Sequence, residues 1–434
     1  MNKVQIFQVT KRVGATSPWL VKWRVAGHDK THAFANKTLA DNFRRRLQTA
    51  HLNDESFSSV TGLPDSWSGG QRTFAECASE YTEANWDIWE SASRRSTVEA
   101  LANSVLLLVR GKNMPCSRSD MAKSVREFLL KPNERFRATG KSKDAISWIL
   151  KYSLHLSEID GKLLKNVLAS MNETLDKKSQ VKPSTLRKRR QALNGVLEHA
   201  IDQKYLRQNP LTRVKFKGTQ RDVAMNPTEV LAPQECRRLL EELKSCSRHG
   251  VLTSTFVACI WLAGLRPSEV AALRPRDILI DAEGNGEIHV TRAIVEVGKA
   301  WSRDGSAKTL KQPKARQAGH IRVVPILEEL IPILAKYMSG LQPDELLFKG
   351  PRTGGAVSLS MIEENWAKVR TSPHTLYDLR HANASLLIYG GCNLIEVAER
   401  LGNSEEVCSR VYLHLINGQQ KKANEKVNGF LRAN

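Results

Sequence analysis

The sequence predicts a mainly α-helical chain in three parts: a small N-terminal β-sheet-plus-helix unit, a helical middle domain, and an α+β C-terminal domain with a small antiparallel sheet. Three observations carry this. Trp19, Val21, Trp23 and Val25 alternate with Leu20, Lys22, Arg24 and Ala26, a period of two that marks a half-buried strand. From Gly69 to about Asn209 the pattern is helical throughout. Beyond about 229, two helical patterns precede two strand patterns and several more helices follow, the order of an α+β domain. A length of 434 residues suits two or three domains.

Within residues 1–67, Gly27-His28-Asp29-Lys30 offers a turn, and 31–35 a third short strand. Leu39, Phe43, Leu47 and Ala50 then recur at helical spacing behind Asn36, a residue type that caps helices. In the middle domain, 69–211, the clearest helix starts near Ser184 and puts Leu186, Leu193, Leu197, Ala200 and Ile201 on one face. Its first turns carry Arg187-Lys188-Arg189-Arg190, where positive charge opposes the helix dipole. A phosphate partner relieves that conflict; a solvated face is the alternative. Asn209-Pro210 ends the helical region, and 212–228 (TRVKFKGTQRDVAMNPT) reads as a basic linker containing Lys215 and Lys217. In the third part, 229–434, helices are expected over 233–243, 251–265, from Glu328 and over most of 358–433, with strands over 287–297 and 321–326.

Composition narrows the function. Lys plus Arg exceeds Asp plus Glu by 66 − 45 = +21, which favours a polyanionic partner, nucleic acid above all, over a ribosome-associated or merely basic protein. Hydrophobic residues make up 41%, enough for packed cores. The seven cysteines are scattered and form no Cys-x-x-Cys pair, which reads as reduced thiols without a disulfide framework or zinc site. The opening MNKVQIFQVTKR lacks a signal-peptide core, and the apolar run 251–265 is shorter than the ~20 residues of a membrane span. A soluble, cytoplasmic protein is expected, with no membrane partner. No phosphate-binding Gly-x-x-x-x-Gly-Lys-Ser/Thr loop, His-Glu-x-x-His or Gly-x-Ser-x-Gly occurs, so no metal or cofactor is expected.

Four short stretches carry the chemistry: Gly264-Leu265-Arg266-Pro267-Ser268-Glu269, Arg322-Val323-Val324-Pro325, Tyr377-Asp378-Leu379-Arg380-His381, and Leu401-Gly402-Asn403-Ser404 followed by Tyr412-Leu413-His414. In this order they resemble the tyrosine recombinase (phage integrase) family, whose motifs read GLR-x-S/G-E, R-x-V-P, H-x-L-R-H and LGHS…Y-x-H. The resemblance covers the C-terminal domain and reaches STLRKRRQALNGVLEHAIDQKYLRQNPL, which looks like the family's last core-binding helix. ESFSSVTGLPDSW looks like integrases of actinobacterial mobile elements.

The resemblance implies a recombinase that integrates or excises a mobile element by cutting and rejoining DNA through a 3′-phosphotyrosyl intermediate, without metal or ATP. Covalent storage of the phosphodiester as a tyrosyl ester suits such a reaction, and fixed arginines suit the charge that gathers on phosphate oxygens. It implies Tyr412 as nucleophile, Arg266 and Arg380 as phosphate clamps, and Glu269 as an orienting group. The leaving oxygen takes its proton from a hairpin lysine: Lys314 in Gln312-Pro313-Lys314-Ala315 is the choice, with Lys308 and Lys311 as alternatives. Two positions depart from the family. Tyr377 stands where a histidine is usual, and Asn403 where histidine or tryptophan is; each can hydrogen-bond a phosphate, but neither is a good proton shuttle near neutrality. His381, about 100° around a helix from Arg380, is expected to be structural. Double-stranded attachment sites, a tetrameric synapse of this chain, nucleoid association, and an excision factor or DNA-bending protein are the implied partners and setting. The N-terminal unit is then an arm-type DNA-binding unit, and Arg187 to Arg190, Lys215 and Lys217 are DNA contacts. The alternatives are a DNA-binding relative with impaired catalysis and a type IB topoisomerase-like enzyme.

Overall fold

The computed structural model describes residues 4–416 apart from 15, 56, 58–61, 65–66, 68–71, 175, 177, 215–229, 312–320, 352–353 and 371, and beyond 416 residues 424, 428, 431 and 432. The chain forms two units, Met1–Thr219 and Gln220–Asn434.

The first unit opens with strands β1 (Val4–Ile6), β2 (Thr10–Lys11), β3 (Trp19–Val25) and β4 (His28–Phe34). β3 is central: β1 and β2 share one of its edges and β4 takes the other, all antiparallel. The predicted three-stranded layer is thus present with one edge strand broken in two. The hairpin turn lies at Ala26-Gly27, both at positive φ, ahead of the expected 27–30, so β4 starts at His28. Val21, Trp23 and Val25 face helix α1 (Lys37–Leu52), which Asn36 caps by accepting from the Leu39 amide at 2.9 Å. Ala40, Leu47 and Ala50 are its buried stripe; Leu39 is half exposed.

The helical middle contains α2 (Phe74–Asn85), α3 (Ser91–Leu107), α4 (Arg118–Ser124), α5 (Gly140–Tyr152), α6 (Gly161–Ser170) and α7 (Pro183–Asp202). Pro183 sits in the first turn of α7, where its missing N–H costs nothing. Leu186, Leu193, Val196, Leu197 and Ala200 bury its inner face, which packs on α3.

In the second unit, α8 (Pro233–Ser245) and the almost wholly buried α9 (Gly250–Ala263) lead to the short α10 (Pro267–Val270). Among the described residues, no helix is long and apolar enough to cross a membrane. The apolar run is instead the centre of a core built on Phe256, Val257, Ile260 and Trp261. Strands β5 (Ile278–Ile280), β6 (Gly286–Val290) and β9 (Arg322–Pro325) make an antiparallel sheet, and β7 (Ala293–Glu296) and β8 (Lys308–Lys311) a separate hairpin. The single strand expected over 287–297 is therefore two, split where Arg292 bonds Asp277 at 2.9 Å. Helices α11 (Ile331–Met338), α12 (Leu359–Val369), α13 (Leu376–Tyr389), α14 (Leu394–Leu401) and α15 (Glu405–Ile416) complete the unit, with α13 against α9, and α14 and α15 against each other and against α13. The chain is mainly α with small antiparallel sheets.

Candidate active site

Each end of the arginine cluster is set by a helix stop. α9 finishes at Gly264 in the left-handed region (φ +64°), where a Cβ would collide with Asn383 and Leu401. The chain then restarts at Pro267, and the Glu269 carboxylate accepts from the Arg266 amide at 2.8 Å. This stop-and-restart leaves Arg266 at the head of α10. α14 stops the same way at Gly402 (φ +62°), a position where any Cβ would strike Arg322.

Arg266 donates to Glu269 Oε1 (2.9 Å), to the Gly402 carbonyl (2.7 Å) and to Asn403 Oδ1 (2.7 Å). Arg380, from α13, donates to the carbonyls of Gly264 and Leu401 and to Asn403 Oδ1 at 3.2 Å. Both guanidiniums therefore converge on one oxygen. Arg380 is 1% exposed, whereas the Arg266 side chain keeps 28% of its surface. Burial and the neighbouring Arg266 push the Arg380 pKa down.

A third arginine completes the cluster. Arg322 on β9 donates to Glu269 Oε2 and to the Leu401 carbonyl, both at 2.7 Å. Burial works to raise the Glu269 pKa, but Arg322 and Arg266 outweigh it and hold the carboxyl below its ordinary range. Glu269 thus orients two arginines, as the sequence suggested for one. The R-x-V-P motif contains Arg322 without assigning it a role; the inward alternation of Arg322 and Val324 on β9 is the signal for it.

Tyr412 lies on α15 and is 2% exposed. On α15, Val407 and Val411 are half-buried, whereas Cys408 is buried beside Tyr412. Its hydroxyl meets His381 Nδ1 at 2.6 Å. Burial pushes the phenol pKa up, and the nearby Arg380 partly offsets this. His381, expected to be structural, is the residue in contact with the phenol. Rotation about α13 does turn it away from Arg380, but α15 packs on that side and brings Tyr412 to it. Tyr377, one turn before, is 45% exposed and meets the His381 ring edge-on at 5.7 Å between centroids.

Arg266, Arg380, Asn403 and Tyr412, with Tyr377 reached through His381, therefore gather in the second unit. Lys314 lies outside the described residues, as do Lys215 and Lys217. Lys308 on β8 is occupied elsewhere, donating to the Ala356 carbonyl and standing 3.5 Å from Glu296. In the first unit, Arg187 and Lys188 are exposed on α7. Arg189 corrects the expected basic face: it donates to the carbonyls of Met171 (2.6 Å) and Glu173 (2.8 Å) and is held by the fold. In the second unit, guanidiniums thus stand beside a phenol and an imidazole, a donor set suited to a phosphoryl oxygen.

No protein-family model matches the chain. Among curated proteins it is similar to Tyrosine recombinase XerD of Rickettsia conorii, 23% identical over 305 residues that cover 63% of this chain and 90% of that one. It is also similar to the ICEBs1 integrase of Bacillus subtilis, 23% identical over 257 residues, 55% of this chain and 64% of that one. Among solved structures, the XerH site-specific recombinase bound to its difH substrate covers 81% of this chain and 94% of its own, at a TM-score of 0.48 and 15% identity.

Proposed function

We propose that this chain, which belongs to the tyrosine recombinase family by its ordered motifs and its curated relatives, is a site-specific DNA recombinase that uses Tyr412 as its nucleophile. The observation that carries this reading is the convergence of Arg266 and Arg380 on Asn403 Oδ1, in the same cluster as the Tyr412 phenol. A carboxamide oxygen there accepts from both guanidiniums as a non-bridging phosphate oxygen would. Charge gathering on a pentacovalent phosphorus is then met by cations already fixed by Glu269 and by backbone carbonyls. Attack by Tyr412 leaves a 3′-phosphotyrosyl ester and a 5′-hydroxyl, and the reverse step reseals the strand, with neither metal nor ATP. A hairpin lysine, Lys314 or Lys311, protonates the 5′-oxygen. Four copies on paired attachment sites, with an excision factor or bending protein, integrate or excise a mobile element.

The test uses nicked duplexes tiled across the DNA that flanks the gene, so that a cleaved end diffuses away and traps the ester. Wild type is expected to give a denaturant-stable protein–DNA adduct, and Tyr412→Phe none. A full tile without adduct would leave a DNA-binding relative that no longer cuts.

A further inference from the structure

We propose that His381 is a catalytic residue, the acceptor of the Tyr412 proton during strand cleavage. The inference rests on the reading of Tyr412 as nucleophile. Where the family usually carries a histidine, this chain has Tyr377, and a phenol of ordinary pKa ~10 is a poor base near neutrality. Tyr377 and His381 are four residues apart on α13, so they share a helix face one turn apart. His381 Nδ1 lies 2.6 Å from the Tyr412 hydroxyl, within the range for proton transfer. The imidazole thus sits one turn along the same face, in contact with the atom that must lose its proton.

The surroundings suit the role. On α13 itself His381 is faced by Asp378, Arg380 and Tyr377, and from α15 by Tyr412. Burial lowers its pKa, Asp378 opposes and Arg380 adds to that. The ring is therefore neutral near pH 7, and the role requires the tautomer with its hydrogen on Nε2, in which Nδ1 accepts from the phenol. In the step, the Tyr412 O–H bond breaks and its proton passes to Nδ1. The phenolic oxygen bonds phosphorus as the bond to the 5′-oxygen breaks, and that oxygen takes a proton from the hairpin lysine. The imidazolium and the neutral lysine exchange roles on resealing, so protons and charge balance.

A histidine that only positioned the phenol would behave differently. In His381→Asn the carboxamide oxygen stands near the place of Nδ1 and can still accept from Tyr412, but it cannot take the proton. The experiment follows single-turnover adduct formation by the full chain between pH 5 and 9, on a nicked duplex from the tile that wild type cleaves. The expected result is a loss of about 100- to 1,000-fold for His381→Asn, with DNA affinity within about twofold of wild type. The acid limb of the wild-type profile should vanish with it. A sulfur in place of the bridging 5′-oxygen, which leaves without a proton, should rescue a hairpin-lysine variant and leave His381→Asn slow. His381→Asn within about threefold of wild type, with the limb intact, overturns the inference and leaves the recombinase reading standing. No adduct from wild type overturns that reading, and this inference with it. Should the variant fail to fold, the His381 ring titration followed by NMR in wild type decides: agreement with the kinetic limb supports the role, and disagreement overturns it.

Discussion

Arg322 and Glu269 form an ion pair at 2.7 Å with both side chains more than nine-tenths buried. The same carboxylate also holds Arg266 at 2.9 Å. Removing its charge leaves two guanidiniums beside an interior that no longer compensates them. Glu269→Gln is therefore expected to destabilise the second unit by about 3–5 kcal/mol, the usual cost of breaking a buried pair from one side. The pH dependence has a definite sign. Because the folded pKa of Glu269 lies below its unfolded value, its contribution is present above that unfolded value, ~4.5, and is lost as pH falls through the folded pKa. Urea melts between pH 3 and 7 should show a wild-type loss on acidification that is shallower in Glu269→Gln. Equal slopes would mean that the arginines do not depend on this carboxylate.

Asn403 offers one oxygen to Arg266 and Arg380. Asn403→Ala removes the shared acceptor without removing either cation. Single-turnover cleavage is expected to fall about tenfold or more, because a misdirected arginine stabilises the transition state less. DNA affinity at low salt should stay near wild type. A variant that cleaves at full rate would show that the arginines are aimed by the carbonyls of Gly264, Leu401 and Gly402 alone.

Much of this arrangement was legible in the sequence, and the exceptions share a cause. β3 announced itself through Val21, Trp23 and Val25, because one face of that strand is core and the other is not. The break between β1 and β2 did not, since three- and two-residue strands are too short to show a period and exist only by pairing with β3. The hairpin turn was misplaced because Ala26, not a residue that favours the left-handed region, adopts positive φ there. At the site, Arg266 and Arg380 could be read from their motifs. His381 could not, because a position on one helix does not say which other helix will arrive beside it. Arg189 was counted among surface charges for the same reason: the carbonyls of Met171 and Glu173 belong to a turn brought in by α6.

The lysines should separate by geometry. Lys308 already donates to the Ala356 carbonyl and pairs with Glu296, so Lys308→Ala is expected to cleave within about threefold of wild type. Lys314→Ala should lose about 100-fold or more on an ordinary duplex and recover when the bridging 5′-oxygen is replaced by sulfur. Single-turnover rates on the two substrates measure this directly. Rescue of Lys311→Ala instead would move the acid to the end of β8. A sulfur-rescued defect in Lys308→Ala would mean that its bond to Ala356 opens on DNA.

The basic turn of α7 should divide in the same manner. Arg187 and Lys188 are exposed, and a net charge of +21 favours a polyanionic partner that such residues would meet. Replacing both by Ala should weaken binding to every duplex alike and reduce the slope of log K against log salt by about 2, close to one released counterion per contact. Arg189→Ala should leave that slope unchanged. Its guanidinium satisfies two backbone carbonyls, so its loss should appear as about 2 kcal/mol of lost stability in the first unit. Salt titrations of DNA binding and urea melts of the same three variants give the comparison. A salt slope that falls with Arg189 and holds without Arg187 and Lys188 would reverse the assignment of these charges.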